Sequence, residues 1–249
     1  MMGGDYCYDG SDAGLLTLLA DIVPRGIEPR TIGVEPPQQE DLFAVPVLVA
    51  TDQELAERFW VELTRRLPPV SLEQLRRAWY ADHPGRELVI CRFMLLVWRE
   101  GGRAGAMLAH PYVVPLWKLA QQVGREAHRY LGFVRFQETT SGYYYASLEP
   151  DHRVLSLIAG HFADRFRDQH WVIHDVRHGE GIVYDCTRRR WLLLPMTTEG
   201  DPELTPAEET FQRLWRSYFA VLAIGERENL AMQQGKVPLK VRPWLVEFR

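Results

Sequence analysis

The sequence predicts an α+β fold in which a helical N-terminal lobe precedes a central antiparallel sheet packed with helices. Two patterns carry this prediction. Residues 133–194 have the patterns of two strands, a helix and three further strands in chain order, whereas residues 1–105 are mostly helical in pattern. Strands joined by short connections usually pair antiparallel, so this order favours α+β over a doubly wound parallel sheet.

The N-terminal lobe begins with a short strand and a capped helix. A strand over 6–8 leads through a turn into an apolar helix over 13–23. Ser11 is the expected N-cap of this helix, because its hydroxyl can accept a backbone N–H of the first turn. Residues 24–46 contain five prolines and little periodicity. They are therefore predicted to form a long loop.

Three further helices complete the lobe. Thr51 and Glu54 have the spacing of a capping box, and Ser71 with Gln74 repeats that spacing. The predicted helices cover residues 53–67, the segment that ends near Tyr80, and residues 86–99.

The rest of the chain supplies the sheet. Thr-Thr-Ser-Gly at 139–142 is the expected hairpin loop between the first two strands, and Asp151 is the expected N-cap of the helix that follows them. No linker separates this part from the lobe, so we predict a single domain over 1–249, with the lobe at about 1–105 and the sheet within about 106–249. The predicted elements are a helix over 113–130, strands over 133–138 and 143–148, a helix over 153–167, strands over 170–176, 182–186 and 191–194, and a helix over 206–233.

Composition limits the function classes. The formal net charge is −4, so nucleic-acid binding must rest on a local basic patch. Cys7, Cys91 and Cys186 lie far apart, without the spacing of an iron–sulfur or zinc site, which indicates a reduced, cytoplasmic setting. The apolar run at 88–98 is interrupted by Arg92 and too short to span a bilayer, so no membrane role is expected. We expect no cofactor and no metal.

Four side chains on the helix over 113–130 form a candidate anion-binding ladder. Lys118, Gln122, Arg125 and Arg129 are spaced 4, 3 and 4 residues apart, which brings them to one side of the helix. Arginine suits phosphate because its guanidinium binds oxygens bidentately. The alternative is an ordinary solvated helix face.

Aromatic and basic residues of the first two strands form a second candidate surface. The predicted strand places Phe133 and Arg135 on one side, and Tyr143 and Tyr145 share a face of the next strand. Such a face can stack nucleobases and hold phosphates. Aromatic strand faces also form cores, and that alternative stays open here.

Histidine and aspartate supply candidates for acid–base chemistry. His128, His161, His174 and Asp175 are the candidates for this chemistry. His161 lies at the edge of the apolar face of its helix, where polar groups either pair across a helix–sheet interface or gather at a cleft. His174 and Asp175 are adjacent in a strand and face opposite sides unless a bulge intervenes. A structural hydrogen-bond network is the alternative.

Two further arginines belong to the same region. Arg165 lies one turn after His161, and Arg177 follows the predicted strand over 170–176. Both are candidate nucleic-acid contacts. No HxxxH or CxxC spacing supports a metal site among these residues.

Several motifs together resemble a bacterial family of domains of unknown function described as DNA metabolism proteins. The similarity covers nearly the whole chain and is densest from 124 to 177. The motifs are Tyr8-Asp9-Gly10-Ser11, Gly124-Arg125-Glu126-Ala127-His128-Arg129, Gly132-Phe133-Val134-Arg135-Phe136, Glu149-Pro150-Asp151-His152, His161-Phe162-Ala163-Asp164-Arg165, Trp171-Val172-Ile173-His174-Asp175, Leu214-Trp215 and Glu226-Arg227-Glu228-Asn229.

The resemblance implies a role in DNA metabolism or repair. Members of the family are encoded beside a DNA-repair radical SAM protein, and some are fused to a uracil-DNA glycosylase-like domain. This implies an accessory protein that binds DNA and acts with a radical SAM partner, with a uracil-DNA glycosylase-like protein as a further partner. Two alternatives remain: an enzyme acting on a nucleotide or modified base, and an interaction scaffold without DNA contact.

Overall fold

A computed structural model describes residues 3–34, 45–197, 200, 202–222 and 230–248. The predicted α+β class is confirmed, since the described residues form helices together with two open sheets, one of three strands and one of five. The chain divides into two compact units, Met1–Gly124 and Arg125–Arg249. The single domain over 1–249 stays a prediction.

The first unit contains the elements β1 (Asp5–Cys7), α1 (Asp12–Ile22), β2 (Thr31–Gly33), β3 (Val47–Leu48), α2 (Gln53–Arg66), α3 (Pro69–Trp79) and α4 (Arg86–Glu100), and the first part of a fifth long helix. The strands form a small parallel sheet in the order β2-β1-β3. Ser11 caps α1 as predicted, because its Oγ accepts the Gly14 amide at 2.9 Å. A short 3-10 helix at Gly101–Ala106 follows α4.

Both predicted capping boxes of this unit are wrong. Asp52, not Thr51, caps α2, since its carboxylate accepts the Leu55 amide at 2.9 Å. Helix α3 already begins at Pro69, because proline at the first helical position needs no N–H partner. Ser71 therefore lies inside the helix rather than at its cap. The predicted loop over 24–46 contains β2, and its residues 35–44 lie outside the described residues.

Helix α5 (Val113–Phe133) is three residues longer than predicted. Gly132 does not end it, and the Phe133 ring packs edge-on against Tyr130, one turn earlier, with centroids 6.4 Å apart. The predicted strand over 133–138 is correspondingly wrong in its first four residues, since β4 comprises only Gln137–Glu138. Phe133 and Arg135 therefore do not share a strand face.

The second unit is built on the five-stranded sheet. After β4 its strands are β5 (Tyr144–Leu148), β6 (Trp171–Asp175), β7 (Glu180–Asp185) and β8 (Arg190–Pro195), and they lie in the order β4-β5-β6-β7-β8. Three of the junctions are antiparallel, as the predicted class requires, and β5 pairs with β6 in parallel. The parallel junction arises because α6 (Leu155–Arg165) carries the chain back before β6 begins.

One side of this sheet, the covered face, forms the core of the unit. Trp171 and Tyr184 stack there with ring centroids 5.0 Å apart, and Phe162 of α6 packs on Trp171. Phe136 adds an edge-on contact with Phe162 at 5.6 Å. The aromatic layer thereby fixes α6 against the strands.

The C-terminal segment adds helices to the second unit. The predicted helix over 206–233 corresponds to α7 (Pro206–Leu222) and α8 (Leu230–Lys236), and residues 223–229 lie outside the described residues. Short 3-10 helices follow at Leu239–Trp244 and Val246–Phe248. Within the described ranges, no helix has the length and apolar character needed to cross a bilayer.

Candidate nucleic-acid interface

The side of the five-stranded sheet opposite the covered face, called here the open face, is the candidate interface. Its central residues follow from the register, which places Tyr145 beside Val172, and Val172 beside Val183. Leu192 continues the row and is 50% exposed. The open face is therefore apolar and aromatic without being buried.

A cavity of about 440 Å³ lies on the open face. Its floor is formed by Tyr145, Val172 and Val183 of that row, and Tyr143, 39% exposed, stands at its edge. The hairpin loop sets the position of Tyr143, because Gly142 takes the left-handed φ of +81° that favours glycine and Thr139 donates to the Tyr143 carbonyl at 2.6 Å. The lining includes Thr139, Thr140, Tyr143, Tyr145, Val172 and Val183.

A buried imidazole supports the Tyr145 side chain. The Tyr145 hydroxyl lies 2.8 Å from Nδ1 of His174, which is only 3% exposed. Burial lowers the pKa of His174 more than the Met196 backbone and the Asp175 carboxylate raise it, so the ring is neutral near pH 7. The Met196 carbonyl can only accept, which leaves Nδ1 as the acceptor of the tyrosine proton.

A smaller polar cavity of about 100 Å³ adjoins the first and shares Tyr145 and Pro202 with it. Arg135, a predicted nucleic-acid contact, forms part of its wall. The Arg135 guanidinium donates to the Gly132 carbonyl at 2.7 Å and pairs with Glu247 at 3.2 Å. The other lining residues are Gln137, Ser147, Leu204 and Trp244.

Three exposed arginines, Arg188–Arg190, form a basic tip at the turn between β7 and β8. The Asp185 carboxylate organises this turn by accepting the amides of Thr187 and Arg188, and it lies 3.6 Å from the Arg188 side chain. The tip adjoins the Tyr143 end of the open face, since the preceding Cys186 contacts His170 and the His170 ring lies 5.5 Å from that of Tyr143.

The side chains of the predicted anion-binding ladder on α5 are exposed, as their spacing along the helix predicted. Lys118, Arg125 and Arg129 are all on the solvent side of the helix. Tyr130, on the other side of this helix, is buried, and burial is the main cause of its raised pKa. Arg125 and Arg129 line neither of the two cavities described above.

The remaining predicted contacts lie apart from the open face. The Arg165 guanidinium sits over the Phe166 ring, 5.5 Å from its centroid. Arg177 is exposed and pairs with Asp151 at 3.3 Å. Phe133 belongs to α5, as described above.

The four acid–base candidates do not converge. His128 and His161 are exposed on α5 and α6. His174 faces the open side of the sheet, and Asp175 faces the other side, as expected for neighbours in a strand. Among the described residues, no hydrogen bond joins any two of the four.

Asp175 belongs instead to a buried turn network that the sequence did not reveal. It is fully buried and accepts the amides of Arg177 and His178, each at 3.1 Å. Its second oxygen lies 2.6 Å from Nδ1 of His178. An aspartate followed by a histidine three residues later, at a strand end, is the sequence signal for this arrangement. The network holds the β6–β7 turn in place.

Glu126 forms a second buried network, which the sequence patterns did not predict. It is 5% exposed and accepts the backbone amides of Asp151 and His152, both at 2.8 Å. Asp151, predicted as the N-cap of α6, does not cap it, because the helix begins only at Leu155. The Asp151 side chain instead pairs with Lys240 and Arg177.

Comparison with known proteins gives one match. The family model described as a domain of unknown function, DUF4130, matches residues 84–247, about two thirds of the chain. The matched region contains the whole open face and both cavities. No curated protein and no solved structure gives a significant match.

In the part of the chain that the structure describes, no three His, Cys, Asp or Glu side chains are grouped to hold a metal ion.

Proposed function

The chain belongs to the DUF4130 family of domains of unknown function, and on that premise we propose that it is a nucleic-acid-binding accessory protein of DNA metabolism or repair. The proposed contact surface is the open face of the five-stranded sheet. A single-stranded segment would lie across it, with bases on the tyrosine rings and phosphates at the basic tip.

The observation that carries this proposal is the pair of aromatic rings beside a cavity on the open face of the sheet. Tyr143 and Tyr145 line the same cavity of about 440 Å³. Stacking of a base on an aromatic side chain contributes about 1–3 kcal/mol and tolerates any base. The arginines at 188–190 adjoin the Tyr143 end and supply the positive charge that a phosphate backbone requires.

A single strand suits this surface better than a duplex. In a duplex the base faces are stacked on one another and cannot reach a protein ring. An open strand exposes them, and an apolar sheet face with aromatic residues is a known type of platform for such bases.

The partner assignment rests on the family resemblance. We propose that a radical SAM protein supplies the redox chemistry and that this chain presents the nucleic acid to it. Cys7 and Cys91 are buried and free, and Cys186 contacts His170. A uracil-DNA glycosylase-like partner and a cytoplasmic location are part of the same proposal.

One observation favours an enzyme as a second candidate. The Tyr145 hydroxyl lies in the cavity wall with a neutral imidazole behind it. Such a pair can take a proton from a bound base, because the Tyr145 oxygen accepts that proton as its own passes to Nδ1 of His174. Turnover of a modified nucleotide that is lost in Tyr145→Phe would favour this candidate.

Fluorescence anisotropy with a short labelled single-stranded oligonucleotide tests the binding proposal. Tyr143→Leu and Tyr145→Leu are each expected to weaken binding about tenfold, from the loss of one stacking platform. The matched control is Tyr218→Leu, because Tyr218 is 57% exposed on α7 and outside the cavity. Thermal unfolding of each variant verifies that it remains folded.

Two results would overturn the proposal. The first is the absence of salt-sensitive binding to any single or double strand, with the radical SAM partner present or absent. The second is equal weakening by the control and the cavity variants. Recovery of the partner with a protein that binds no DNA would favour the scaffold alternative.

A further inference from the structure

We propose that Cys186 is a modification site, whose thiol exchanges with a small anionic disulfide at the edge of the open face. The inference goes beyond the proposed function and does not depend on it, because the reaction needs no nucleic acid. It rests on a cluster of chemically active groups around the sulfur: the His170 imidazole, the Asp185 carboxylate and the basic tip that follows in the chain.

Cys186 differs from the other two cysteines in its exposure. Cys7 and Cys91 are 3% and 0% exposed, and burial raises the pKa of both thiols, that of Cys91 to about 12. Cys186 is free and partly exposed, directly after β7. Since the thiolate is the reacting form and has to reach its partner, Cys186 is the cysteine suited to react in the folded protein.

The His170 ring directs a donor at the Cys186 sulfur. Nδ1 accepts the backbone amide of Cys186 at 3.4 Å, so the proton of the neutral ring lies on Nε2. Nε2 in turn lies 3.2 Å from Sγ. A hydrogen bond of this kind is stronger when the acceptor is charged, so it favours the attacking thiolate.

The sheet holds His170 in this position. Its carbonyl accepts the Tyr144 amide at 2.9 Å, and its ring lies 5.5 Å from that of Tyr143. The Asp185 carboxylate lies 3.9 Å from Nδ1, and the Arg188 backbone amide is the main cause of its lowered pKa. The charged carboxylate stabilises a protonated ring, which also donates to the sulfur from Nε2.

The basic tip selects the charge of the disulfide. Arg188, Arg189 and Arg190 are exposed and begin two residues after Cys186. Asp185 compensates one of these charges through its contact with Arg188 at 3.6 Å. The remaining positive charge attracts anions and speeds their encounter with the sulfur. A disulfide that carries carboxylates should therefore react faster than a neutral one.

The reaction is a thiol–disulfide exchange and needs no further oxidant. The Cys186 thiol loses its proton to solvent, and the thiolate attacks one sulfur of the disulfide. The bond between the two disulfide sulfurs breaks as a new one forms to Cys186. The other half leaves as a thiolate and takes a proton from solvent, so the disulfide is reduced as Cys186 is oxidised.

Mass spectrometry of the protein and its peptides measures the reaction, with oxidised glutathione as the anionic probe. We expect one adduct, at Cys186, with Cys7 and Cys91 modified only after unfolding in urea. Cys186→Ser should form none in the folded state. Exchanging Arg188 and Arg190 for glutamine should slow the reaction about threefold, but should not change the rate with the neutral hydroxyethyl disulfide.

His170→Phe tests the donor, because it keeps a ring and removes Nε2–H. The reaction near pH 7 should be about tenfold slower. The difference should disappear near pH 10, where an ordinary thiol is ionised without help, whereas a merely structural role of the ring would slow both reactions. His161→Phe, a change of an exposed histidine on α6, is the control and should keep the parent rate.

Three results would overturn the inference: comparable labelling of all three cysteines in the folded protein, equal dependence of both disulfides on the arginines, and a His170→Phe rate equal to that of the parent at pH 7. Labelling of Cys7 or Cys91 in His170→Phe would reveal unfolding, and the arginine variant then decides. Because no oligonucleotide is present, a failure of the proposed function is recognised separately, in the binding experiment alone.

Discussion

Three carboxylates among the described residues are buried, and each is compensated in a different way. Asp5, Glu126 and Asp175 are 3%, 5% and 0% exposed. Asp5 pairs with a guanidinium, Glu126 accepts two backbone amides, and Asp175 accepts two amides and contacts an imidazole. A buried carboxylate without such partners would cost several kcal/mol, so these contacts stabilise the fold.

Asp5 allows a prediction about acid stability. Hydrogen bonds from Arg30 are the main reason that the pKa of Asp5 falls from 3.8 to about 2 in the folded state. A lowered pKa stabilises the fold above the unfolded value, and this contribution is lost as the pH falls from about 4 to about 2. Because Arg30 is half-exposed, we expect the contribution to be about 1–2 kcal/mol.

Urea unfolding at a series of acidic pH values measures this contribution. Arg30→Met should lower the free energy of unfolding near neutral pH and reduce the loss of stability between about pH 4 and pH 2, because the pKa of Asp5 then rises towards its unfolded value. Arg25→Met is the control, since Arg25 pairs with Asp21 on the surface and should change the profile little. An unchanged pH profile in Arg30→Met would contradict the prediction.

At the scale of elements, periodicity predicted the longer elements and failed for the short ones. Helices α2 and α4 lie within one residue of their predicted bounds, because a helix of fourteen or fifteen residues repeats its apolar pattern several times. Strands β2 and β3 have three and two residues, too few to show alternation. Phe133 is helical, but the sequence predicted a strand there because the aromatic residues around it alternate as they would in a strand.

The candidate site was less predictable than the fold. The shared face of Tyr143 and Tyr145 followed from alternation along one strand. The approach of Tyr145 to His174 did not, because it depends on the parallel register of β5 and β6, residues 29 positions apart in sequence. The cavity containing Gln137 also needs Pro202 and Trp244, which no local pattern connects to β4.

Glu126 links two elements, and its removal should destabilise their junction. It belongs to α5 and holds the two amides that precede α6. Glu126→Ala leaves both amides without their charged acceptor, so we expect the free energy of unfolding to fall by about 2–4 kcal/mol. Glu126→Gln keeps an acceptor oxygen without the charge and should cost about 1–2 kcal/mol.

Chemical denaturation followed by tryptophan fluorescence measures both variants. Arg129→Ala, an exposed change one turn further along α5, is the control and should stay within about 0.5 kcal/mol of the parent. Equal stabilities of Glu126→Ala and the control would show that the loop before α6 does not depend on this carboxylate.

At the scale of the whole molecule, the net charge of the chain works against the proposed binding of a nucleic acid. The formal charge of −4 repels a polyanion at long range, so affinity must come from stacking and from a small number of local phosphate contacts. Two basic surfaces compete for those contacts: the tip at 188–190, beside the open face, and the ladder at Arg125 and Arg129 on α5, which lines neither cavity. The salt dependence of binding distinguishes them, because its slope counts the phosphates that are neutralised.

If the tip provides the contacts, up to three phosphates are neutralised and the slope of log K against log salt is about −2 for a single strand. Exchanging Arg188 and Arg190 for glutamine should reduce the slope to about −0.7. Arg189 is left unchanged because its φ of +51° lies in the left-handed region, so a substitution there could change backbone strain as well as charge. The matched variant, with Arg125 and Arg129 exchanged for glutamine, should keep the parent slope. Since both variants remove two charges, a reduced slope in the second alone would move the phosphate contacts to α5 and leave the open face without its proposed strand.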